Sequence, residues 1–227
     1  MIVISTGCPA GIGPEISVLA ASQEKLPCVL VGDFPTLVEA AELVGVDPKR
    51  LVAFDDSSDK KPKRGSIQIV DAGPRLAKKD RKPGKPTNTS GIAQLTYVDV
   101  AYDLVKATPG AVLVTAPVSK SVIAHSGAPG AEDFLGHTEW LEERDGAKFS
   151  VMCFALDRFS TSLVTTHLPI AKVAKALTPE RVARSVVSLG ELLSRMHDKK
   201  PKIVVCSLNP HAGESELLGR EEATAIV

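Results

Sequence analysis

The chain opens with MIVISTGCPAGIGPEISVLAAS (residues 1–22), in which a turn rich in glycine and proline joins an apolar run to a helical pattern. The apolar run predicts a strand over Ile2–Ser5, and the pattern after the turn predicts a helix over Glu15–Ser22. A glycine-rich loop between a strand and a helix often lies against a phosphate, so this stretch raises the question of a nucleotide site.

The glycine spacing of this turn excludes the two standard nucleotide loops. It reads Gly7-x-x-x-Gly11-x-Gly13, which is neither GxGxxG nor GxxxxGK[ST], and it lacks the lysine needed for triphosphate hydrolysis. Pro14 suits the first helical position, and Glu15 occupies the positive end of the helix where an anion would bind. We therefore prefer a rigid turn that lines a site over a direct phosphate cradle.

The remaining chain alternates short apolar runs with helical periodicity, which predicts an α/β fold with a mainly parallel sheet covered on both faces. The other predicted strands are Cys28–Val31, Ser66–Val70, Ala111–Thr115, Ser150–Phe154, Ser162–Thr166 and Lys202–Ser207. The other predicted helices are Pro35–Val44, Gly91–Ala107, Thr138–Arg144, Ile170–Ala176 and Pro179–Met196.

Composition indicates a cytoplasmic protein with no nucleic-acid or membrane partner. Lys+Arg and Asp+Glu both total 27, so no overall charge attracts nucleic acid or an anionic membrane. No apolar stretch approaches the ~20 residues that span a bilayer, and the N-terminus lacks the basic region of a signal peptide. The four cysteines form no CxxC pair, which favours free thiols in a reducing compartment.

One segment is strongly basic. Residues 60–85 contain ten Lys or Arg but no aromatic residue. Single-strand binding needs aromatic stacking platforms between the charges, so we expect a solvated surface segment here rather than a nucleic-acid site. The nucleic-acid alternative would show a steep salt dependence of affinity.

Three histidines have neighbours that suggest chemistry. His167 and His211 follow the predicted strands Ser162–Thr166 and Lys202–Ser207, at the sheet edge where α/β proteins bind ligands. Neutral imidazoles on adjacent strand ends suit one metal ion, although each histidine could equally pack a turn.

The third histidine, His137, precedes a predicted helix for which Thr138 can be the N-cap. Together they suit an anion site, with an ordinary helix cap as the alternative. Lys120 follows the predicted strand Ala111–Thr115 and either enters the same crevice or meets solvent.

Several motifs together resemble one family, the 4-hydroxythreonine-4-phosphate dehydrogenases of pyridoxal phosphate biosynthesis. They occur in the family's order and extend over nearly the whole chain. GIGPE is also similar to the GDGIGPE turn of isopropylmalate and isocitrate dehydrogenases, whose fold the family shares. The matching stretches are GCPAGIGPE (7–15), TAPVSK (115–120), DFLGHTEW (133–140), TTHLPI (165–170), LTPE (177–180), LNPHAGE (208–214) and GREE (219–222).

This resemblance implies a two-domain α/β/α fold like that of isocitrate and isopropylmalate dehydrogenases, incomplete at the C-terminus. We expect a first domain over residues 1–116 and a second over residues 117–227, in a homodimer. The implied reaction is the oxidation of 4-phosphohydroxy-L-threonine by NAD or NADP, with decarboxylation to 3-amino-2-oxopropyl phosphate. A divalent metal (zinc, magnesium or cobalt) would favour alkoxide and then enolate formation.

The resemblance also implies roles for individual residues. His137 and Thr138 match the family's substrate-binding pair, and His167 and His211 match two of its metal ligands. Ser119 stands where the family has a histidine in its PVHK stretch, with a consequence that the sequence does not reveal.

The family continues past residue 227, so the chain is expected to be shortened. Its third metal-binding histidine, in a YHDQ-like motif, and its later substrate-contacting Lys, Asn and Arg have no counterpart here. Because a catalytic metal usually takes three protein ligands, we hypothesise that this polypeptide by itself is inactive.

Two alternatives to this dehydrogenase remain open. A related enzyme would act on a phosphorylated sugar acid such as threonate or erythronate, or on a cis-dihydrodiol carboxylate. A non-catalytic remnant would bind metal or phosphate without transferring hydride.

Overall fold

A parallel five-stranded sheet forms the centre of the N-terminal part of the chain. The computed structural model describes residues 1–23, 27–55, 63–156, 158–197 and 200–226. These residues divide into two compact units, Met1–Gly146 and Ala147–Val227, and each is described by itself.

The sheet of the first unit has the strand order β3-β4-β2-β1-β5, and every neighbouring pair is parallel. Its strands are β1 (Ile2–Ser5), β2 (Cys28–Gly32), β3 (Leu51–Ala53), β4 (Ile67–Asp71) and β5 (Val112–Thr115). After β1, the chain adds β2, β4 and β3 toward one edge of the sheet, and it then returns to place β5 on the opposite edge of β1. The strand order therefore reverses between β1 and β5, where α/β sheets commonly bind ligands.

The described residues of this unit form five α-helices: α1 (Gly13–Gln23), α2 (Phe34–Leu43), α3 (Asn88–Ala107), α4 (Lys120–Ala124) and α5 (His137–Asp145). They also form two short 3-10 turns, Pro48–Arg50 and Ala131–Asp133. Because successive strand residues face opposite sides of a sheet, β1 contributes to two cores. Ile4 packs in a cluster with residues of α1 and α2, and Val3 packs with Ala93 and Tyr97 of α3. The predicted α/β fold with helices on both faces is confirmed.

Helix α3 also holds the segment that follows β5. A Cβ atom at Gly91 would lie 2.4 Å from the carbonyl oxygen of Val122, so α3 and α4 approach at backbone distance. Leu95 of α3 shares a third buried cluster with Ile123 and Phe134. These contacts place residues 117–146 in the first compact unit. The domains expected over residues 1–116 and 117–227 stay a prediction.

Helices make up most of the regular secondary structure of the second unit. It contains a short antiparallel pair, β6 (Cys153–Phe154) and β7 (Thr161–Ser162), two helices, α6 (Ile170–Ala176) and α7 (Pro179–Met196), a 3-10 turn (Pro210–Gly213) and a π-helical turn (Glu222–Ile226). The predicted bounds of α6 and α7 are confirmed. Thr178 caps α7 by accepting a hydrogen bond from the backbone N–H of Arg181. Among the described residues, no helix is both long and apolar enough to cross a bilayer.

Two strand predictions in the second unit are too long and one is wrong. Ser150–Phe154 and Ser162–Thr166 reduce to the two-residue strands β6 and β7, and Lys202–Ser207 forms no strand. A strand needs a neighbour to complete its hydrogen bonds, and residues 202–206 instead line a cavity of about 1070 Å³ beside α7. Val204 there is 79% exposed, so its apolar side chain is left without a core.

The basic segment is more ordered than expected. Leu76 and Asp80 are buried, and Arg81 forms ion pairs with Asp33 at 3.5 Å and with Glu39 at 3.0 Å. The described part of the segment is therefore packed on the sheet unit around Arg81 rather than wholly solvated. Lys60 and Lys61 lie outside the described residues.

The backbone approach at Gly91 generates a stability prediction. Replacing Gly91 with Ala forces a methyl group against the Val122 carbonyl, and we expect it to lower the free energy of unfolding by about 1–3 kcal/mol. Gly190→Ala is the matched control, because a Cβ there meets only the end of Ile203 at 3.5 Å and the change raises helix propensity. Urea denaturation followed by circular dichroism measures both. Equal stability of Gly91→Ala and the parent chain would contradict the close packing of α3 on α4.

Candidate functional site

The loops that follow β1 and β5 meet at the point where the strand order reverses. The backbone N–H of Cys8 donates to the carbonyl oxygen of Pro117 at 2.9 Å. Gly7 has φ +71°, and a Cβ there would lie 2.3 Å from the same oxygen. Only glycine suits this position, because both the left-handed backbone and the close approach exclude a side chain.

Several N–H groups of the opening turn already form hydrogen bonds within the protein. The N–H groups of Thr6 and Gly11 donate to the carbonyls of Val31 and Cys8, and a Cβ at Gly13 would lie 2.2 Å from the Thr6 carbonyl oxygen. A phosphate cradle needs free N–H groups that converge on the ligand. The hydrogen bonding therefore favours the rigid turn over the cradle.

A buried glutamine positions the loop that carries Lys120. Gln94 is fully buried in α3, and its Oε1 accepts a hydrogen bond from the backbone N–H of Ser119 at 2.7 Å. Its Nε2 donates to the carbonyl of Ser90 at 3.0 Å, so both ends of the amide are satisfied. The Ser119 side chain makes no capping hydrogen bond to α4. Sequence reasoning missed Gln94, although a polar residue between Ala93 and Leu95 on a core helix was the available signal.

His137 begins α5 and is half-buried. Its ring makes an edge contact with Phe134, with centroids 6.1 Å apart, and its Nε2 is buried without a hydrogen-bond partner. Burial, followed by the positive charge of Lys120, lowers the pKa of His137 below its ordinary value. These effects favour the neutral form of the imidazole. An unpaired buried nitrogen is costly, which is typical of a position completed by a ligand.

The predicted N-cap role of Thr138 is wrong. The helix begins at His137, so Gly136 occupies the N-cap position and no side chain caps the helix. Thr138 is exposed in the first turn, and its hydroxyl makes no hydrogen bond within the described part of the chain. The hydroxyl thus remains accessible to a ligand beside His137.

Helix α5 is held on α3 by polar contacts. Trp140 Nε1 donates to Asp99 Oδ1 at 2.8 Å, and Arg144 Nη2 contacts Asp103 Oδ2 at 2.9 Å. Burial raises the pKa of Asp99. These directional contacts fix the orientation of α5 on α3, and the start of the helix is fixed with it.

The other two predicted site histidines adopt an uncommon backbone. His167 has φ +56° and His211 has φ +53°, and both side chains are exposed. Left-handed non-glycine residues are uncommon, and they cluster at functional sites. Within the described residues they occur only in and directly after these two motifs: His167, His211, Ala212, Glu214, Ser215 and Glu216.

The strand positions predicted for these histidines are not found. His167 follows β7 by five residues, and the described residues 200–210 before His211 contain no strand. Among the described residues, no three His, Cys, Asp or Glu side chains come together as a metal site. The two imidazoles have the right donor chemistry for a divalent ion, but the described chain does not complete the ligand set.

A buried carboxylate shapes the loop before His211. Glu222 accepts hydrogen bonds at Oε1 from the backbone N–H groups of Leu208 and Asn209, at 2.9 and 2.7 Å. The Asn209 side chain donates to Glu222 Oε2 at 3.0 Å and to Glu221 at 2.8 Å. These donors, led by the Asn209 backbone, lower the pKa of Glu222.

The chain is similar to proteins of one known family. The family described as "Pyridoxal phosphate biosynthetic protein PdxA" matches residues 24–227. A 4-hydroxythreonine-4-phosphate dehydrogenase of Methylococcus capsulatus is 38% identical over 99% of this chain and 66% of its own length. That of Salmonella arizonae is 35% identical over 100% and 67%. The chain spans about two thirds of the length of these relatives.

Solved structures show the same likeness. Those of 4-hydroxythreonine-4-phosphate dehydrogenases from Burkholderia phymatum and Klebsiella pneumoniae each have a TM-score of 0.84 at 27% identity, and this chain covers 68% and 69% of them. A terephthalate 1,2-cis-dihydrodiol dehydrogenase from Burkholderia xenovorans LB400 has a TM-score of 0.69 at 26% identity, covering 99% of this chain. These likenesses agree with the fold family expected from the sequence.

The Glu222 contacts predict pH-dependent order in the loop before His211. A carboxylate whose pKa is lowered on folding stabilises the loop at pH values above its pKa in the unfolded chain. That stabilisation is lost as the pH falls through its pKa in the folded chain. We expect Glu222→Gln to reduce the hydrogen-exchange protection of the Leu208 and Asn209 amides, and acidification below 4.5 to do the same in the parent chain. Glu216→Gln, at an exposed ion pair with Arg220, is the control. Unchanged protection in Glu222→Gln would contradict the role of this carboxylate.

Proposed function

The chain belongs to the PdxA family of pyridoxal phosphate biosynthetic proteins, and on that premise we propose that it binds and oxidises 4-phosphohydroxy-L-threonine in vitamin B6 biosynthesis. The observation that carries the proposal is the cluster at the start of α5. There a neutral imidazole with an unpaired nitrogen and an accessible hydroxyl lie side by side, at His137 and Thr138. The motif that supplies them is the GHTE stretch in which the chain resembles the family.

In this proposal His137 and Thr138 bind the substrate. The buried Nε2 of His137 needs a partner, and a substrate hydroxyl or phosphate oxygen supplies one. Thr138 both donates and accepts hydrogen bonds, so it suits an oxygen-rich ligand. The contacts of Trp140 and Arg144 with α3 hold these two groups in place before substrate arrives.

We also propose that the reaction uses NAD or NADP and a divalent metal (zinc, magnesium or cobalt) bound by His167 and His211. The nicotinamide would accept a hydride, and the cation would supply Lewis-acid chemistry that also assists decarboxylation to 3-amino-2-oxopropyl phosphate. The exposed imidazoles and left-handed backbone of the two histidines support this assignment. Since the described residues offer no group of three ligands, turnover requires a further ligand from outside them.

The remaining parts of the proposal follow the family resemblance. We propose a homodimer located in the cytoplasm, with a small phosphorylated molecule as its substrate. The family's place in pyridoxal phosphate biosynthesis and the names of the curated relatives support the substrate class.

A dihydrodiol carboxylate is the second candidate substrate. It is favoured by the structural likeness to the terephthalate 1,2-cis-dihydrodiol dehydrogenase. That likeness is weaker than the one to the 4-hydroxythreonine-4-phosphate dehydrogenases, with a TM-score of 0.69 against 0.84. No comparable observation favours a phosphorylated sugar acid.

Calorimetric binding tests the proposal without depending on turnover. We expect 4-phosphohydroxy-L-threonine to bind the chain, and His137→Ala to weaken that binding about tenfold because a hydrogen bond to a buried nitrogen is lost. His125→Ala is the control, since this exposed residue follows the last residue of α4 and its ring hydrogen-bonds to the carbonyl oxygen of Ser121.

Three results would overturn parts of the proposal. Binding that is equal in the parent chain and in His137→Ala removes the substrate role of His137. Binding of a cis-dihydrodiol carboxylate in place of 4-phosphohydroxy-L-threonine establishes the second candidate. Ready reduction of NAD or NADP by the purified chain with added zinc supports the oxidation but overturns the requirement for a metal ligand from outside the described residues.

A further inference from the structure

A lysine ammonium lies at the start of α5, next to the proposed substrate-binding pair. A Cβ atom built on Gly136 would be 3.2 Å from Lys120 Nζ and 3.5 Å from its Cε. Gly136 directly precedes His137, and the charge of Lys120 is felt at the His137 ring. The end of the Lys120 side chain is therefore beside the backbone from which His137 and Thr138 project.

The fold holds Lys120 in this place through its backbone. The loop before it is bonded to the opening turn at Cys8–Pro117 and to α3 at Gln94–Ser119. The helix that Lys120 begins is pressed against Gly91. The loop over residues 116–119 and helix α4 are thus held by the opening turn and by α3. The backbone of Lys120 is fixed, and its flexible side chain can still change conformation.

Lys120 has no ion-pair partner among the described residues. Most other described lysines of this unit share that property, but three cations do form ion pairs. Arg81, Lys106 and Arg144 each contact a carboxylate within 3.5 Å. Glu139 Oε2 also lies near Gly136, at 3.0 Å from the Cβ position, but it makes no ion pair with Lys120. The ammonium is consequently available to an incoming anion.

We propose that Lys120 is a further substrate-binding residue, whose ammonium contacts the phosphate of the ligand held by His137 and Thr138. The inference rests on the proposed function for the identity of that ligand. It adds the positive charge that the pair itself lacks, because the His137 imidazole is neutral and Thr138 is uncharged. Lysine is a compact point charge that suits a phosphate oxygen.

This assignment also gives Gly136 a role. Its backbone, with φ 164° and ψ 175°, is extended and open to any residue, so conformation does not require glycine here. The available space favours glycine instead, because the methyl group of an alanine would contact the ends of the Lys120 and Glu139 side chains. Those ends are flexible, so an alanine would move the ammonium without disturbing the fold.

Titration of the 227-residue chain with inorganic phosphate and with 4-phosphohydroxy-L-threonine, by calorimetry and amide NMR, tests the inference. We expect Lys120→Met to weaken both affinities about tenfold or more, since a charge-assisted hydrogen bond is lost, and Lys120→Arg to retain most of the affinity. Lys49→Met, at an exposed lysine of the same unit, is the control and is expected to bind like the parent chain. NMR titration of His137 should show a higher pKa in Lys120→Met, a change that a purely structural role elsewhere would not produce.

Gly136→Ala provides a second variant that keeps Lys120 itself. We expect it to weaken phosphate binding several-fold while far-ultraviolet circular dichroism stays unchanged. If Lys120→Met unfolds the chain, Gly136→Ala and Lys120→Arg together still decide the inference, because they test the position and the charge of the ammonium separately.

The outcomes separate this inference from the proposed function. Substrate binding that is unaffected by Lys120→Met and Gly136→Ala overturns the inference and leaves the function standing. Phosphate binding that depends on Lys120, without any binding of 4-phosphohydroxy-L-threonine, supports the inference for phosphate and contradicts the function. Absence of binding of either compound to the parent chain overturns both.

Discussion

The backbone of Gly7 and the backbone of Pro117 come so close that no side chain fits between them. This approach joins the loop after β1 to the loop after β5, at the point where the strand order of the sheet reverses. In many α/β proteins these loops diverge and leave a crevice for a ligand. Here the two loops are hydrogen-bonded to each other, and the candidate site residue Lys120 follows just beyond this contact.

As a consequence, successive residues between the sheet and the candidate site are each held by a contact. Pro117 is bonded to Cys8, Ser119 is bonded to buried Gln94, and Lys120 starts the helix packed on Gly91. Helix α5 is attached to the same α3, so His137 and Lys120 share one support. The opening turn therefore helps to determine where the next loop lies, because Cys8 is bonded to Pro117.

The sequence predicted correctly most elements that local signals determine. It did not predict the features that depend on contacts between distant residues. The bounds of β1, α6 and α7 are confirmed, since an apolar run and a helix cap such as Thr178 act over a few residues. The strand predicted over Lys202–Ser207 fails because its existence depends on a neighbour that no local pattern reports. Thr138 was placed as a cap, but the chain begins the helix one residue earlier, at His137. The roles of Gln94 and Gly136 depend on their contacts with Ser119 and Lys120, which composition and spacing do not predict.

The most direct test of this account is the pKa of His137, measured by NMR in the parent chain and in Gly7→Ala. The account predicts a pKa below the ordinary histidine value in the parent chain, because the ring is buried beside Lys120. In Gly7→Ala the loop that carries Lys120 must move, so the pKa should rise toward the ordinary value while the amide spectrum still reports a folded sheet. An equally low pKa in both proteins would show that the Gly7–Pro117 contact does not position the site, and would contradict the account.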